Sequence, residues 1–238
     1  MKKLVLACSL ALFAFSACNM NSVKGDGHVI TRNFEQKGFK DIDASSQFEI
    51  HLAQGSEYKV KVEGEENIID LMELQVTGDK LKIDFKNNTS IRPTHPLKVY
   101  ITAPEYRDIE GSGACTFISE GRLTSKADVK IGLSGACETR LEIDAPKIDV
   151  DASGASEIRL KGQTRDFSVD ASGASSINCF ELLTENTSLD ISGGGNAKVY
   201  ASQSLNVSIS GAGDVSYKGK PANIKKDISG AGSISSAD

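Results

Sequence analysis

The 238-residue chain contains no tryptophan, and aromatic residues make up only 6% of it. Carbohydrate-binding surfaces commonly offer an aromatic ring as an apolar platform, so few such platforms are available here. The tyrosines that remain as candidates are Tyr100, Tyr106, Tyr200 and Tyr217. Each of them is also an ordinary packing residue, which is the interpretation we favour.

The sequence also gives little support for catalysis or for nucleic-acid binding. The three histidines, His28, His51 and His95, have no obvious nucleophile nearby, so no Ser-His-Asp triad is indicated. No Cys-x-x-Cys or Cys/His spacing suggests zinc. The formal net charge is −5 and basic residues do not cluster, which argues against a nucleic-acid partner. We predict no catalytic residue and no cofactor.

The N-terminus has the pattern of an export signal. Two lysines are followed by an apolar stretch too short to span a bilayer, and small residues then precede Cys18. This ending resembles the bacterial lipobox, in which the cysteine is lipidated. We predict a signal peptide over residues 1–17, lipidation of Cys18 and a tether over residues 18–37. The membrane is then a partner through the lipid, and the protein is an outer-membrane lipoprotein, periplasmic or surface-exposed. An ordinary secretory peptide is the alternative.

A block that begins with Ser-Gly recurs through the second half of the chain. Its seven copies start at Ser112, Ser134, Ser153, Ser172, Ser192, Ser210 and Ser229. Successive starts lie 18 to 22 residues apart, and a period near 20 is typical of a solenoid.

Apolar residues alternate with polar ones on both sides of each block. Leu133, Ile131 and Val129, for example, lie one, three and five positions before Ser134. Alternation with a period of two predicts a strand with one buried face, and glycine allows a tight corner between strands. We predict an all-β fold: a parallel β-helix-like solenoid of about seven to eight rungs of 19–20 residues over residues 106–238. An antiparallel sandwich is the alternative, but it has no reason to repeat one turn sequence.

Three cysteines remain after the signal segment. Cys115 and Cys137 occupy the same position of neighbouring copies, so a disulfide between them is one possibility, and Cys179 is the odd residue. We favour the interpretation that these cysteines are small buried thiols in a column of small residues.

The outward positions also form columns. Asp151, Asp170 and Asp190 lie two positions before successive serines, and carboxylates stacked in this way repel one another unless they are screened or bridged. They are candidate calcium ligands, with screening by water and salt as the alternative. Glutamates four positions after the serine and arginines six positions after it, including Arg140 and Arg159, indicate a solvated wall.

Residues 38–105 are predicted to form an N-terminal β portion that packs on or caps the repeat stack. Ser45 begins a degenerate copy in which Ser-Gln replaces Gly-Ala, and Gly78 lies in a predicted hairpin turn. The last copy lies close to the end of the sequence. We therefore expect either that the N-terminal portion covers that end or that molecules associate through it, as a homo-oligomer.

Together these features resemble one family. The matching elements are Phe39-x-x-Ile42, Leu52-x-x-Gly55, Gly78-x-x-Leu81-x-Ile83, the strand at 97–104 and the Ser-Gly-Ala/Gly copies. They are similar to the head GIN domain of auto-transporter adhesins over roughly residues 38–236. The resemblance implies a secreted or lipoprotein β-solenoid, and it transfers no catalytic residue.

Three functions remain open. The first is a non-catalytic binding or adhesion module that presents a flat β wall to a glycan or a protein. The second is a structural, self-assembling envelope component. The third is a polysaccharide-active enzyme, with Asp151, Asp170 and Asp190 acting beside Arg140 or Arg159, although fold analogy alone is a poor warrant for it.

Overall fold

The computed structural model describes residues 22–238. The predicted signal peptide, Cys18 and residues 19–21 lie outside the described residues. Strands account for 70% of the structure and helices for 3%. Among the described residues no helix is long and apolar enough to cross a membrane.

The N-terminal portion, residues 22–105, combines parallel and antiparallel strands. Its elements are β1 (Val23–Lys24), β2 (Val29–Phe34), β3 (Asp41–Ser46), β4 (Glu49–Gln54), β5 (Lys59–Glu65), α1 (Glu66–Ile69), β6 (Met72–Thr77), β7 (Lys80–Phe85), a 3₁₀ turn (Lys86–Asn88), β8 (Ile91–Arg92) and β9 (Lys98–Ala103).

The coil, residues 106–238, is built from longer strands that follow one another around a common axis. They are β10 (Asp108–Gly113), β11 (Thr116–Thr124), β12 (Val129–Gly135), β13 (Glu138–Gly154), β14 (Glu157–Gly173), β15 (Ser176–Gly193), β16 (Asn196–Tyr200), β17 (Ser204–Gly211), β18 (Asp214–Lys218), β19 (Asn223–Gly230) and β20 (Ser233–Ser236).

Successive turns of the coil pair in parallel and in register. Ser134 lies beside Ser153, which in turn lies beside Ser172, and this alignment continues to the last copy. The inward residues form buried columns, such as Ile131, Val150 and their equivalents along the stack. The predicted solenoid is confirmed, with about seven turns.

The Ser-Gly corner requires glycine for two reasons. Gly154 has a φ of +97°, a conformation that residues with a β-carbon resist. A β-carbon at this position would also lie 2.6 Å from the carbonyl oxygen of Gly135 in the previous turn. The degenerate first copy has Ser46 at the equivalent position, and this serine has a positive φ of 135°.

The N-terminal portion packs on the first turn of the coil, as predicted. β3 and β4 continue the stack next to β10 and β11, and β7 and β9 form the following layer. Antiparallel strands then complete this end, because β6 pairs with β7, β5 pairs with β9, and β2 pairs with β5. Gly78 lies in the turn between β6 and β7, as expected.

The structure differs from the tether expected over residues 18–37. β1 pairs with β8, and β2 adds an antiparallel strand to β5. The Glu65 side chain, which is buried, accepts a hydrogen bond from the Gly27 backbone N–H at 2.7 Å. From residue 23 onward the chain is therefore bound to the domain, because its backbone finds partners on β5 and β8.

The opposite end of the coil has no such cover. Among the described residues β19 pairs only with β17, and its side chains Ile224 and Ile228 are 42% and 41% exposed. The expectation that the N-terminal portion covers this end is wrong, because that portion lies at the other end of the stack.

Candidate functional site

An acidic surface follows the strands that precede the Ser-Gly corners. One outward column contains carboxylates in nearly every turn and is interrupted by a glycine. In order along the axis it runs Asp43, Glu110, Gly132, Asp151, Asp170 and Asp190. The sequence pattern predicted the last three; Glu110 adds the first turn of the coil to the column, and Asp43 extends it into the N-terminal portion.

Gly132 opens a groove in this surface. Because glycine has no side chain, the column has a gap between the side chains of Glu110 and Asp151. The resulting acidic groove has a volume of about 420 Å³. The residues that line it are Asp43, Glu110, Gly111, Ser112, Gly132, Leu133, Ser134, Asp151, Ala152, Ser153, Asp170 and Ser172.

The two ends of the acidic groove differ in electrostatics. At the N-terminal end Lys80 Nζ lies 2.5 Å from Glu110 Oε2 and 3.8 Å from Asp108 Oδ2. Partial burial and the nearby Glu110 carboxylate raise the pKa of both Asp43 and Asp108 above the usual aspartate value. This end therefore contains crowded carboxylates with lysines nearby, since Lys80 and Lys82 act on Asp43 and Lys80 and Lys130 act on Asp108.

The other end lacks such neutralisation. Asp151, Asp170 and Asp190 are exposed and lie in register on adjacent turns. No lysine, arginine or histidine of residues 22–238 lies within 4.0 Å of their carboxylates. Neighbouring strands are about 4.8 Å apart, so this end is a strip of closely spaced, unpaired negative charge.

The predicted calcium ligands gain no further support from the geometry. No group of three or more Asp, Glu, His or Cys side chains suited to hold a metal ion occurs in the part of the chain that the structure describes. The calcium site stays a prediction from the register of the three aspartates.

The arginines named for the enzyme hypothesis line a different groove. Arg140 and Arg159 both contact Glu138, at 2.5 and 2.6 Å, and Arg159 also pairs with Glu157. Their groove, of about 560 Å³, includes Lys161 but none of the three aspartates. The structure does not bring the proposed aspartate–arginine set together.

The tyrosines considered as platforms for sugar stacking also make contacts within the protein. Tyr106 is buried, and its hydroxyl donates to the carbonyl oxygens of Ala53 and Ile101. The Tyr100 ring stacks on His51, with centroids 4.8 Å apart, and Lys61 Nζ lies 4.1 Å from its centroid. His51 on β4 and Lys61 on β5 lie on the two strands that flank β9, so Tyr100 already has contacts on both neighbouring strands.

The other two tyrosines lie farther along the coil. Lys226 Nζ lies 5.8 Å from the Tyr217 ring centroid. Tyr200 lines a groove at another bend of the coil, and its carbonyl oxygen accepts a 2.7 Å hydrogen bond from the Thr187 hydroxyl.

The three cysteines of the described residues are free thiols, and all are buried. Hydrogen bonding with the Cys137 thiol and burial raise the pKa of Cys115, and the same hydrogen bond lowers the pKa of Cys137. Burial raises the pKa of Cys179 to about 12. A neutral, buried thiol is a poor nucleophile, so Cys115 and Cys179 behave as packing residues.

Comparison with known proteins agrees with this architecture. The model of the family described as "Putative auto-transporter adhesin, head GIN domain" matches residues 38–221. The chain belongs to this family. No curated protein matches the chain.

Solved structures of similar fold include two putative adhesins and a putative lipid binding protein. A putative adhesin from Bacteroides fragilis is 22% identical with a TM-score of 0.84, and the match covers 90% of this chain and 100% of that one. A putative adhesin from Parabacteroides distasonis is 22% identical with a TM-score of 0.70, covering 91% and 100%. A putative lipid binding protein from the same species is 23% identical with a TM-score of 0.67, also covering 91% and 100%. At this identity the likeness concerns the fold, and the head GIN domain's name points to the cell surface or envelope.

Proposed function

We propose that this head GIN domain is a non-catalytic binding or adhesion module of the cell envelope, and that its acidic groove binds a basic segment of a partner protein. The observation that carries the proposal is the strip of unpaired carboxylates at Asp151, Asp170 and Asp190. Charged strips of this kind select partners of opposite charge and accelerate their association.

A protein partner fits this surface better than a glycan does. Sugar rings commonly stack on an exposed aromatic face, whereas the Tyr100 ring already contacts His51 and Lys61, and Tyr106 is buried. Lysine and arginine side chains, in contrast, find a carboxylate about every 4.8 Å along the strip. An extended basic peptide lying along the coil axis would pair with several turns at once.

The test is binding of a lysine-rich peptide, measured by calorimetry at low and at physiological ionic strength. We expect the triple variant Asp151→Asn, Asp170→Asn and Asp190→Asn to lose roughly 3- to 150-fold in affinity, because exposed charge pairs contribute about 0.2–1 kcal/mol each. The matched control removes three acidic charges outside the groove, as Glu157→Gln, Glu181→Gln and Asp214→Asn, and should retain binding.

Other ligands are outcomes of the same test. Equal binding by the triple variant and the wild type would contradict the proposal. Binding of a neutral glycan or of anionic phospholipid vesicles, without binding of the peptide, would also contradict it and would favour the sugar or the lipid. Heat from millimolar calcium that the triple variant loses would instead support calcium as the ligand of the strip.

The location of the protein in the cell envelope is a separate part of the proposal. We propose a signal peptide over residues 1–17, a lipid on Cys18 and an outer-membrane location, supported by the N-terminal sequence and by the family's name. Mass spectrometry of the mature protein should find an acylated N-terminal cysteine, and Cys18→Ser should release the protein from the membrane fraction. An unmodified N-terminus at another residue would contradict it.

A further inference from the structure

The open end of the coil presents a strand with a self-complementary sequence. On β19 the side chains of Ile224, Lys226 and Ile228 continue the inward columns of Leu205, Val207 and Ile209. Lys225 and Asp227 lie between them and face outward.

This pattern is symmetric about Lys226. If a second β19 ran antiparallel with Lys226 opposite Lys226, Ile224 of each copy would lie opposite Ile228 of the other. In the same register Lys225 of each copy would lie opposite Asp227 of the other. Directly opposed residues of antiparallel strands share a face, so apolar residues would meet inside and opposite charges outside.

We propose that the open end is a docking surface for a second copy of this chain, through antiparallel pairing of the two β19 strands about a two-fold axis at Lys226. The sheet would then run from one coil into the other, and the exposed isoleucines would extend both cores. A two-fold interface of this kind uses the same patch on both subunits, so it ends at a dimer.

The head-to-tail arrangement fits less well. It would place β19 against the outer strands of the N-terminal portion, β2 or β6. The β6 edge is already engaged, because Gln36 Nε2 donates to the Leu74 carbonyl oxygen at 3.0 Å. In an antiparallel arrangement, no register on β2 or β6 places apolar residues opposite both isoleucines and opposite charges opposite Lys225 and Asp227.

Lys226 keeps the dimer weak. Val207 and Val169, its counterparts in earlier turns, are buried, and an inward-pointing charge is a common protection of an open sheet edge. In the proposed dimer the two Lys226 side chains would face each other at the centre. The dimer therefore forms at high local concentration, as on a crowded envelope.

The experiment is sedimentation equilibrium of residues 22–238, the part of the chain that the structure describes. Lys226→Val should tighten dimerisation at least about ten-fold, since it removes a like-charge pair and adds apolar contact. Lys225→Asp in that background should weaken the dimer about ten-fold, because two attractive pairs become repulsive. Adding Asp227→Lys to that variant should restore the dimer, because the charge pairs are then exchanged rather than lost.

Circular dichroism and thermal unfolding confirm that each variant is folded. A Lys226→Val protein that stays monomeric at millimolar concentration would overturn the proposal. A dimer that ignores the charge exchange, or oligomers that grow without limit, would overturn the antiparallel register. None of these residues lines the acidic groove, so peptide binding by the same variants separates this proposal from the proposed function.

Discussion

The two ends of the coil differ in how their outermost strands are protected from pairing with another chain. At the N-terminal end, antiparallel strands and α1 cover the stack, and Ile68 and Ile69 are buried there. At the C-terminal end β19 pairs only with β17 among residues 22–238, and Lys226 lies at the end of an apolar column. The N-terminal end is therefore closed by added strands and a helix, whereas at the C-terminal end an inward-pointing lysine is the protection that β19 carries.

The first prediction compares one substitution at the two ends. Ile68→Ala should lower the free energy of unfolding by about 2–5 kcal/mol, because a buried methyl-rich side chain leaves a cavity. Ile228→Ala should cost roughly 1 kcal/mol or less, since 41% of this residue is already exposed. Urea unfolding of both variants checks this. Equal losses would show that the C-terminal end is covered in solution.

The second prediction concerns Glu65, which binds the first described residues to the domain. Burial raises its pKa, but hydrogen bonds from Thr94, Gly27 and His95 outweigh this effect and lower the pKa from 4.5 to about 2. The charged form therefore stabilises the fold above about pH 4.5. This contribution is lost as the pH falls from 4.5 toward 2.

Glu65→Gln should lower the free energy of unfolding by about 1.5–3 kcal/mol at pH 7, the range for hydrogen bonds to a charged group. The difference from wild type should shrink below pH 4.5, as measured by thermal unfolding across pH. The control Glu73→Gln removes an exposed carboxylate of the same portion and should change little. A loss at Glu65 that does not depend on pH would contradict the assigned role of its charge.

The third prediction compares a coil corner with a hairpin turn. Gly154 and Gly78 both have positive φ, but only at Gly154 would a β-carbon meet a neighbouring backbone atom, at 2.6 Å. Gly154→Ala should therefore cost about 1 kcal/mol more than Gly78→Ala, beyond the strain that both share. Chemical denaturation of the two variants measures the difference, and equal costs would mean that the turns stack less closely.

The coil could be predicted from the sequence because each turn repeats the same inward and outward offsets. Asp151, Asp170 and Asp190 were found in this way. Asp43 was not predicted to belong to this column because its copy lacks the Ser-Gly corner. It nevertheless lies two positions before Ser45, as the other aspartates do before their serines. The position two residues before the serine, rather than the Ser-Gly motif itself, identifies the members of the column.

The N-terminal portion could be predicted only in outline. The layer formed by β7 and β9 comes from two segments that are separated in sequence, and no local periodicity encodes such a pairing. The strand character of residues 29–34 was missed for a similar reason. β2 is an edge strand whose partner β5 lies about thirty residues away, and its alternation is incomplete.

The register of the coil also makes the molecule adjustable in length. Because each turn contacts only the turns above and below it, one repeat can be inserted or deleted without changing either terminus of the stack. Each such event would alter the long axis by about 4.8 Å and the number of carboxylates by one. Related chains could thereby tune how far they project and how many contacts they make, while the architecture of every remaining turn stays the same.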